Sequence, residues 1–261
     1  GINGVKKVNG VNGINGGMKQ EEQQIPFLIE RLPAEPRTAV FDEIAEMCIT
    51  AFFNDDKVGT APVWKEWQLA YLRKLQSTDL QRRRKRESDT NFMFVARRVI
   101  PASSTSSRTT PLVLDLNSVY NLQPQQQHEL DYVRADVLGF VEVTQRPYGL
   151  GDQAIGFDQE SRISLRKCTF YDKRPVLTNL SVRYDARRSG VGSKLMELAE
   201  RTVTCDWKMH EIILEVEDDN ERAQTFYRNR GYQILFEDPA SRRYDLSGLW
   251  LQQKRCKRLV M

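Results

Sequence analysis

The chain has 261 residues, of which 40% are hydrophobic and 28% are charged, as in ordinary folded proteins. Its net charge of +4 is too small to indicate a nucleic-acid partner, and no apolar run approaches the roughly 20 residues that a membrane-spanning helix needs. The four cysteines form no CxxC pair and there are only two histidines, so we expect free thiols in a reducing compartment and no metal site.

The chain begins with a tract that lacks the pattern of a folded element. Residues 1–17 read GINGVKKVNGVNGINGG, a low-complexity Asn-Gly sequence without flanking apolar alternation. We therefore expect residues 1–22 to be a disordered tail and residues 23–261 to form one domain. Because the chain opens on Gly1 rather than Met, we also expect that a leader or tag preceded it.

Three elements are predicted before residue 90. The apolar segment at 25–33 predicts a strand that ends at Pro33, and apolar residues at helical spacing predict helices over 37–53 and 63–86. The second helix ends in the basic run Arg82–Arg86. Because cations are favoured at a helix C-terminus, we expect a solvent-exposed helix end there rather than a nucleic-acid site or a targeting signal.

The middle of the chain alternates predicted strands with polar insertions. Strands are predicted at 91–100 and 136–145, and the polar or irregular residues after each indicate two long surface insertions, the second ending near Pro175. Beyond this point the pattern is strand (176–182), glycine loop, helix, strand (211–217), helix and strand. Neither His128 nor His210 has a neighbour that indicates a ligand or catalytic role.

The glycine loop RRSGVGSK (187–194) indicates an anion site. A Walker loop is excluded, because Ser193 rather than Lys follows Gly192. A dinucleotide-binding loop is disfavoured, because Leu195 stands where a third glycine belongs, although Glu215 and Glu217 lie at the distance of its acidic partner. What remains is Arg-Arg-x-Gly-x-Gly, which suits either an anion held by helix amides and arginines or a plain turn with surface arginines.

The residues after the glycine loop add a second motif. The strand EIILEVE (211–217) precedes Asn220, Ala223, Tyr227, Gly231 and Tyr232, in the order N-x-x-A-x-x-x-Y-x-x-x-G-Y. Together with the loop, this order resembles the GNAT superfamily of acetyl-CoA-dependent N-acetyltransferases. The segments LTNLSV, ARRSGVGSKL, FYRNRGY and DPASRRYDLSGLWL further resemble plastid GNAT enzymes of plants and algae, a group that acetylates protein N-termini and lysine side chains.

The resemblance implies an α+β fold, with a mixed, mostly antiparallel sheet flanked by helices, in a single domain with two long loop insertions. It also implies acetyl-CoA as co-substrate, no metal, and location in the plastid (chloroplast stroma). The strand before the loop would separate from its neighbour and bond the pantetheine arm, with ordinary ladder pairing as the alternative, and the loop would hold the pyrophosphate. The implied cofactor-binding residues are Leu180, Ser181, Val182, Arg187 (at the 3′-phosphate or merely in solvent), Arg188, Ser189, Gly190, Val191, Gly192, Ser193, Asn220, Glu221, Arg222 and Tyr227.

Two catalytic residues are implied as well. In the family, the tyrosine at the position of Tyr227 lies near the thioester sulfur and donates a proton to the departing thiolate; the alternative is a half-buried aromatic residue of an amphipathic helix. Strand alternation places Glu215 on the side of Ile213 and Glu217, where an unpaired buried carboxylate would be costly. It lies twelve residues before Tyr227, the spacing of the base in the family's ribosomal-protein N-terminal acetyltransferases; a salt bridge to an arginine is the alternative.

The sequence thus predicts acetyl transfer from acetyl-CoA to protein or peptide amines, at α-amino groups, lysine ε-amino groups or both, by direct attack in a ternary complex. No cysteine lies in the motif, so an acetyl-cysteine intermediate has no support. The RRYD segment, Arg242 to Asp245, lies on the loop that shapes the acceptor groove in relatives and is a candidate for peptide contacts. The alternatives are a small-molecule amine acetyltransferase and a catalytically idle acyl-CoA-binding scaffold. The oligomeric state is not indicated.

Overall fold

The computed structural model describes residues 25–33, 36–53, 63–86, 89–101, 119–120, 132–148 and 173–261, so the predicted tail and most of both insertions lie outside the described residues. The elements, in chain order, are β1 (Phe27–Arg31), α1 (Thr38–Phe53), α2 (Val63–Arg86), β2 (Asn91–Pro101), β3 (Val119–Tyr120), β4 (Tyr132–Pro147), β5 (Lys173–Val182), α3 (Val191–Arg201), β6 (Ile213–Glu217), α4 (Glu221–Arg228), β7 (Phe236–Asp238), β8 (Arg242–Asp245), β9 (Gln252–Arg255) and β10 (Arg258–Val260). The strands and helices predicted from periodicity are therefore present, with bounds that differ by a few residues.

One mixed sheet organises the domain. Its described strands follow the order β3-β1-β2-β4-β5-β6-β10-β7, and the hairpin β8–β9 forms a separate two-stranded sheet. Neighbouring strands pair antiparallel, except β5 and β6, which run parallel. The α+β fold with a mostly antiparallel sheet flanked by helices is confirmed.

Helices cover both faces of this sheet, because alternate residues of each strand point to opposite sides. On one side, which we call the α3 face, a buried cluster joins α3, α4 and the strands through Leu177, Val191, Leu195, Leu214, Val216 and Tyr227. On the other, the α1 face, a second cluster joins α1 and α2 to β2 and β4 through Ile44, Cys48, Leu80, Met93, Val95 and Phe140. The central strands are thus buried on both sides.

The expectation of a solvent-exposed helix end at Arg82–Arg86 is wrong for Arg84. This side chain is 3% exposed, and its guanidinium donates hydrogen bonds to the backbone carbonyls of Leu32 and Pro33, both at 2.9 Å, and of Asn91 at 2.6 Å. The helix dipole favours a cation at this helix end but does not decide whether the cation is exposed. Arg84 is buried because its long side chain reaches the backbone carbonyls at the ends of β1 and β2.

Candidate active site

The two parallel strands at the centre of the sheet pair at one end only. The last register pair between β5 and β6 joins Leu177 to Leu214. Beyond it, β5 pairs with β4 and β6 pairs with β10. We call the gap between Leu180–Val182 and Glu215–Glu217 the fork.

A bulge in β5 opens the fork. Asn179 has φ of +57°, a left-handed conformation that asparagine adopts more readily than most residues. At the same place the register of β4 against β5 shifts between Phe140 and Glu142. Because a bulge bends and twists its strand, β5 turns away from β6 directly after Leu177, and Leu180–Val182 have no ladder partner in β6.

The backbone groups that face the fork follow from strand alternation. The N–H of Arg183 donates to the carbonyl of Leu138 at 2.8 Å, so the amide of this residue points towards β4. In an antiparallel pair the direction alternates from residue to residue. The groups of Ser181 therefore also point towards β4, and those of Leu180 and Val182 point into the fork.

The glycine loop forms an open helix N-terminus. Gly190 has φ of +85° and precedes α3 without a side-chain hydrogen bond. The first bond of the helix runs from Lys194 N to Gly190 O at 3.0 Å, so the N–H groups of Val191, Gly192 and Ser193 have no acceptor within the helix. A Cβ placed on Gly190 would meet no atom within 4 Å. This turn therefore has both free donors and free space for an anion.

The two arginines of the loop are placed differently. Arg187 is half-buried: Nε donates to the carbonyl of Val182 at 3.3 Å, and Nη2 donates to the carbonyl of Ala51 at 3.4 Å. Arg188 is exposed, with φ of +67°. Ser189 is buried and its hydroxyl donates to a backbone carbonyl, 2.7 Å away, in the preceding turn. Of these three, Arg188 offers its charge to a ligand, while Arg187 and Ser189 hold the turn in place.

Gly192 has a packing role. A Cβ at this position would lie 3.4 Å from Cγ2 of Val182 and 4.0 Å from the ring of Phe226. The start of α3, the fork edge of β5 and the helix α4 therefore meet at Gly192. Gly192 also belongs to the open turn, because its N–H is one of the donors without an acceptor in the helix.

Tyr227 lies in the α3-face core next to the fork. It is 8% exposed, and the cluster that contains it includes the partly buried Leu180 and Val182. Its ring packs edge-on against Phe226 and Tyr232, with centroid distances of 5.5 and 5.9 Å. Burial raises the pKa of Tyr227 to about 12. No hydrogen bond joins its hydroxyl to the described residues, so the neutral phenol has a free O–H group.

The first turn of α4 holds the other predicted cofactor residues. Asn220 caps this helix, because its Oδ1 accepts a hydrogen bond from the N–H of Ala223 at 3.1 Å. Glu221 and Arg222 follow as exposed side chains. Asn220 therefore has a structural role as the cap of α4. Contact with the glycine loop comes from Phe226, further along the same helix, whose ring lies 4.0 Å from a Cβ placed on Gly192.

Glu215 lies on the α1 face, opposite to Tyr227. It directly follows Leu214, the last β6 residue that pairs with β5, and so lies where the fork begins. The hydroxyl of Tyr148 donates to Oε1 at 3.0 Å, and Nη1 of Arg258 donates to Oε2 at 3.1 Å. The salt bridge that the sequence left open is therefore present, at a position that still borders the fork.

Residues 117–232, which include the fork, the glycine loop and Tyr227, match the model of the acetyltransferase (GNAT) family. The chain carries a GNAT acetyltransferase domain. Acetyl-CoA-dependent acyl transfer is the activity of this family, and it is the activity that we assign to the domain. No curated protein sequence matches the chain significantly.

Solved structures also resemble the GNAT domain, at low identity. An acetyltransferase from Streptococcus pneumoniae is 15% identical, with a TM-score of 0.43 over 90% of this chain and 96% of its own. Arabidopsis thaliana NAA60 in complex with acetyl-CoA is 9% identical, with a TM-score of 0.45 over 90% and 96%. The paiA N-acetyltransferase from Thermoplasma acidophilum in complex with coenzyme A is 11% identical, with a TM-score of 0.44 over 90% and 97%. These scores are too low to support conclusions about substrate.

Sequence reasoning missed a buried carboxylate of the GNAT domain. Glu142 is fully buried, and it accepts hydrogen bonds from Arg83 at 2.7 Å, Asn91 at 2.5 Å, Thr178 at 3.1 Å and Asn179 at 2.9 Å. The signal available in the sequence was a glutamate within the apolar strand DVLGFVEVTQ. Its partners are distant in the chain, so the sequence does not reveal the network.

The hairpin β8–β9 borders the fork on the α1 face. Its Arg243 donates to Glu217 and to Asp219, both at 2.8 Å, which ties the hairpin to β6. Arg242 is exposed, and Asp245 is held by Ser247 at its own turn. Of the residues predicted to contact a peptide, Arg242 is therefore available, whereas Arg243 and Asp245 are engaged within the fold.

The tip of this hairpin rests on α2. Nε2 of Gln68 donates to the carbonyls of Gly248 and Leu249, at 3.0 and 3.1 Å. Leu249 and Trp250 at this tip are 62% and 76% exposed, and Trp67, the residue before Gln68 on α2, is 74% exposed. No metal-binding group of His, Cys, Asp and Glu occurs among the described residues, and no described helix is long and apolar enough to cross a membrane.

Proposed function

We propose that the GNAT domain acetylates amines of proteins, at N-terminal α-amino groups, lysine side chains or both. The observation that carries this proposal is the fork, an unpaired strand edge that ends beside an open helix N-terminus. A ligand with an amide-bearing arm can add to such an edge as an extra strand, and phosphate groups suit the helix terminus. Acetyl-CoA contains both parts.

The residues at the fork fit this cofactor. The backbone groups of Leu180 and Val182 would bond the pantetheine arm, and the amides of residues 191–193 would receive the pyrophosphate above the open Gly190. Exposed Arg188 adds a positive charge to the same turn. In this arrangement the thioester end of the arm lies deepest in the fork, near the buried phenol of Tyr227.

Tyr227 then donates a hydrogen bond to the departing CoA thiolate. A free phenol in a dry environment donates a hydrogen bond to a negative charge that develops beside it. Burial raises the pKa of Tyr227 to about 12, above the roughly 8.5 of an ordinary thiol. The same desolvation also raises the pKa of the departing thiol, so the two shifts offset each other in the proton transfer. Cys48 offers no nucleophile, because complete burial raises the pKa of its thiol to about 12. We therefore propose direct attack by the amine in a ternary complex.

The acceptor would approach beside β6 on the α1 face, the side to which Glu215 points. There it would meet Glu215, the candidate base, and the hairpin β8–β9 with its exposed Arg242. Trp67, Leu249 and Trp250 extend this surface across more than one element. A broad surface of this kind suits a polypeptide better than a small metabolite, which supports a protein acceptor. The plastid location remains a prediction from the resemblance.

Mass spectrometry after incubation with acetyl-CoA tests the proposal. Three acceptors are compared: a lysine-free peptide with a free N-terminus, its N-blocked twin with one lysine, and a free diamine. We expect an added acetyl group on one or both peptides. Acetylation of the diamine alone would make the domain a small-molecule acetyltransferase, and cofactor binding without transfer to any acceptor would make it a scaffold.

A further inference from the structure

The fully buried carboxylate of Glu142 is attached to the residue that opens the fork. Nδ2 of Asn179, the residue with φ of +57°, donates to Oε2 of Glu142 at 2.9 Å. Thr178, the preceding residue, donates to the same oxygen at 3.1 Å. The opposite end of the Asn179 amide is also held, because Nε2 of Gln76 donates to its Oδ1 at 3.4 Å. Both polar ends of this side chain therefore have fixed partners on the α1 face.

A buried charge in this position is costly unless its oxygens are fully satisfied. The Glu142 carboxylate meets this condition, with Arg83 of α2 as its counter-charge at 2.7 Å and donors from β2 and β5. Such hydrogen bonds to an ionised group are shorter, stronger and more directional than neutral ones. An apolar side chain would fill the same volume but would not hold the amide of Asn179 in one orientation.

We propose that Glu142 is a positioning residue, which fixes the β5 bulge through Asn179 and thereby sets the opening of the fork for acetyl-CoA. This inference rests on the proposed binding of the cofactor along Leu180–Val182. These residues follow Asn179 directly, so a change in the bulge moves the strand edge relative to the glycine loop and Tyr227.

The variant Asn179→Asp isolates this contact. It keeps the shape of the side chain, its tolerance of the left-handed conformation and the acceptor used by Gln76, but it replaces the donor that faces Glu142 with a second carboxylate. We expect the Kd of acetyl-CoA, measured by calorimetry, to rise at least about tenfold at pH 7.5. Asn179→Gly accepts the left-handed backbone and adds no repulsion, but it also lacks the amide that Glu142 holds, so its Kd should still rise, by less than that of Asn179→Asp.

Thr144→Val is the matched control. Oγ1 of Thr144 belongs to the same network, at 2.9 Å from Nδ2 of Asn91 and 3.5 Å from Oε1 of Glu142, but Thr144 lies on β4 away from the bulge. We expect this variant to lower the apo melting temperature and to leave the Kd within a factor of two. If Asn179→Asp does not fold, Asn179→Ala takes its place, since it removes the same donor and disfavours the left-handed conformation.

Three outcomes decide between the inferences. A selective loss of cofactor affinity in the Asn179 variants, with partial rescue by glycine, supports the positioning role. Equal losses of melting temperature in the Asn179 and Thr144 variants, with unchanged Kd, would make Glu142 purely structural and would overturn the positioning role. The proposed function would still stand in that case, provided that the wild type binds acetyl-CoA and Gly190→Asp abolishes this binding. If the wild-type protein does not bind acetyl-CoA at all, both proposals fail.

Discussion

Glu215 and Arg258 form an ion pair across the β6–β10 ladder, with 3.1 Å between Oε2 and Nη1. The two side chains are 27% and 32% exposed, so the pair is partly solvated. Ion pairs at such surfaces contribute about 0.2–1 kcal/mol. A change at Glu215 therefore tests its catalytic role without a large risk of unfolding the domain.

The variant Glu215→Gln should slow acetylation of lysine more than that of α-amines at pH 7. Deprotonation of an α-amine of pKa ~8 costs about 1 kcal/mol at this pH, whereas a lysine near 10.4 costs roughly 4–5 kcal/mol. A base at the fork thus matters more for lysine acceptors. The reduction in rate caused by Glu215→Gln should become smaller on both acceptors as the pH rises towards 9. The measurement is a set of pH–rate profiles on a peptide with a free N-terminus and on its N-blocked, lysine-containing twin.

Glu217→Gln is the control for this experiment. Glu217 lies two residues further along β6, points to the same face and is also paired with an arginine, Arg243, at 2.8 Å. Its loss should leave the shape of the profiles unchanged. If the profiles of wild type and Glu215→Gln run parallel on both acceptors, Glu215 is only an ion-pair partner.

Tyr227→Phe should reduce kcat by about 10²-fold or more, with little change in acetyl-CoA affinity. The substitution removes only a hydroxyl that has no hydrogen-bond partner among the described residues, so the apo melting temperature should not fall. Tyr232→Phe is the matched change, since Tyr232 packs edge-on against Tyr227 but bonds Glu200 at 3.2 Å. It should lower stability and leave kcat near the wild-type value. Turnover of Tyr227→Phe within a factor of two would assign this tyrosine to packing.

Gly190→Asp should abolish the thermal stabilisation by acetyl-CoA. A side chain here enters the open space over the glycine loop, and a carboxylate also repels the phosphates. Wild type should gain about 2.7 kcal/mol at a ligand concentration of 100 Kd. Because Gly190 has φ of +85°, Gly190→Asp also lowers the stability of the protein without ligand. The control is Gly231→Asp, which should cause a similar loss, because Gly231 has φ of +92° and open surroundings. Equal stabilisation of both variants by acetyl-CoA would contradict the assigned site.

The local parts of the fold could be predicted from the sequence, because they depend on neighbouring residues. Helical spacing over 37–53 and 63–86 and the apolar strands gave the correct elements, and alternation in 211–217 placed Glu215 on the correct side of β6. The glycine loop lies where the chain turns into α3 with positive φ at Gly190. Each of these signals lies within a few residues of the feature that it predicts.

The rest depends on contacts between distant segments. Arg84 is buried because the ends of β1 and β2 reach the helix terminus, and Glu142 is tolerated because donors from α2, β2 and β5 converge on it. Arg187 joins α1 to β5, because its guanidinium donates to the carbonyls of Ala51 and Val182. No local pattern distinguishes such an arginine from its exposed neighbour Arg188.

These two arginines provide the last prediction. Arg188→Ala should leave the apo melting temperature unchanged, because the side chain is exposed. It should raise the Kd of acetyl-CoA about tenfold at low salt, and the difference should narrow as salt screens the charge. Arg187→Ala should instead lower the apo melting temperature by a few degrees, since two backbone carbonyls lose their donor.

A cofactor without the 3′-phosphate separates the two readings of Arg187. If its role is to hold Val182 and Ala51, then Arg187→Ala should weaken the binding of acetyl-CoA and of its 3′-dephospho analogue by the same factor. If the guanidinium contacts the 3′-phosphate, the variant should lose affinity for acetyl-CoA alone and bind the analogue as wild type does. Calorimetric titration of both ligands decides the matter. Because the Arg187 guanidinium already lies within bonding distance of both carbonyls, we expect the equal loss.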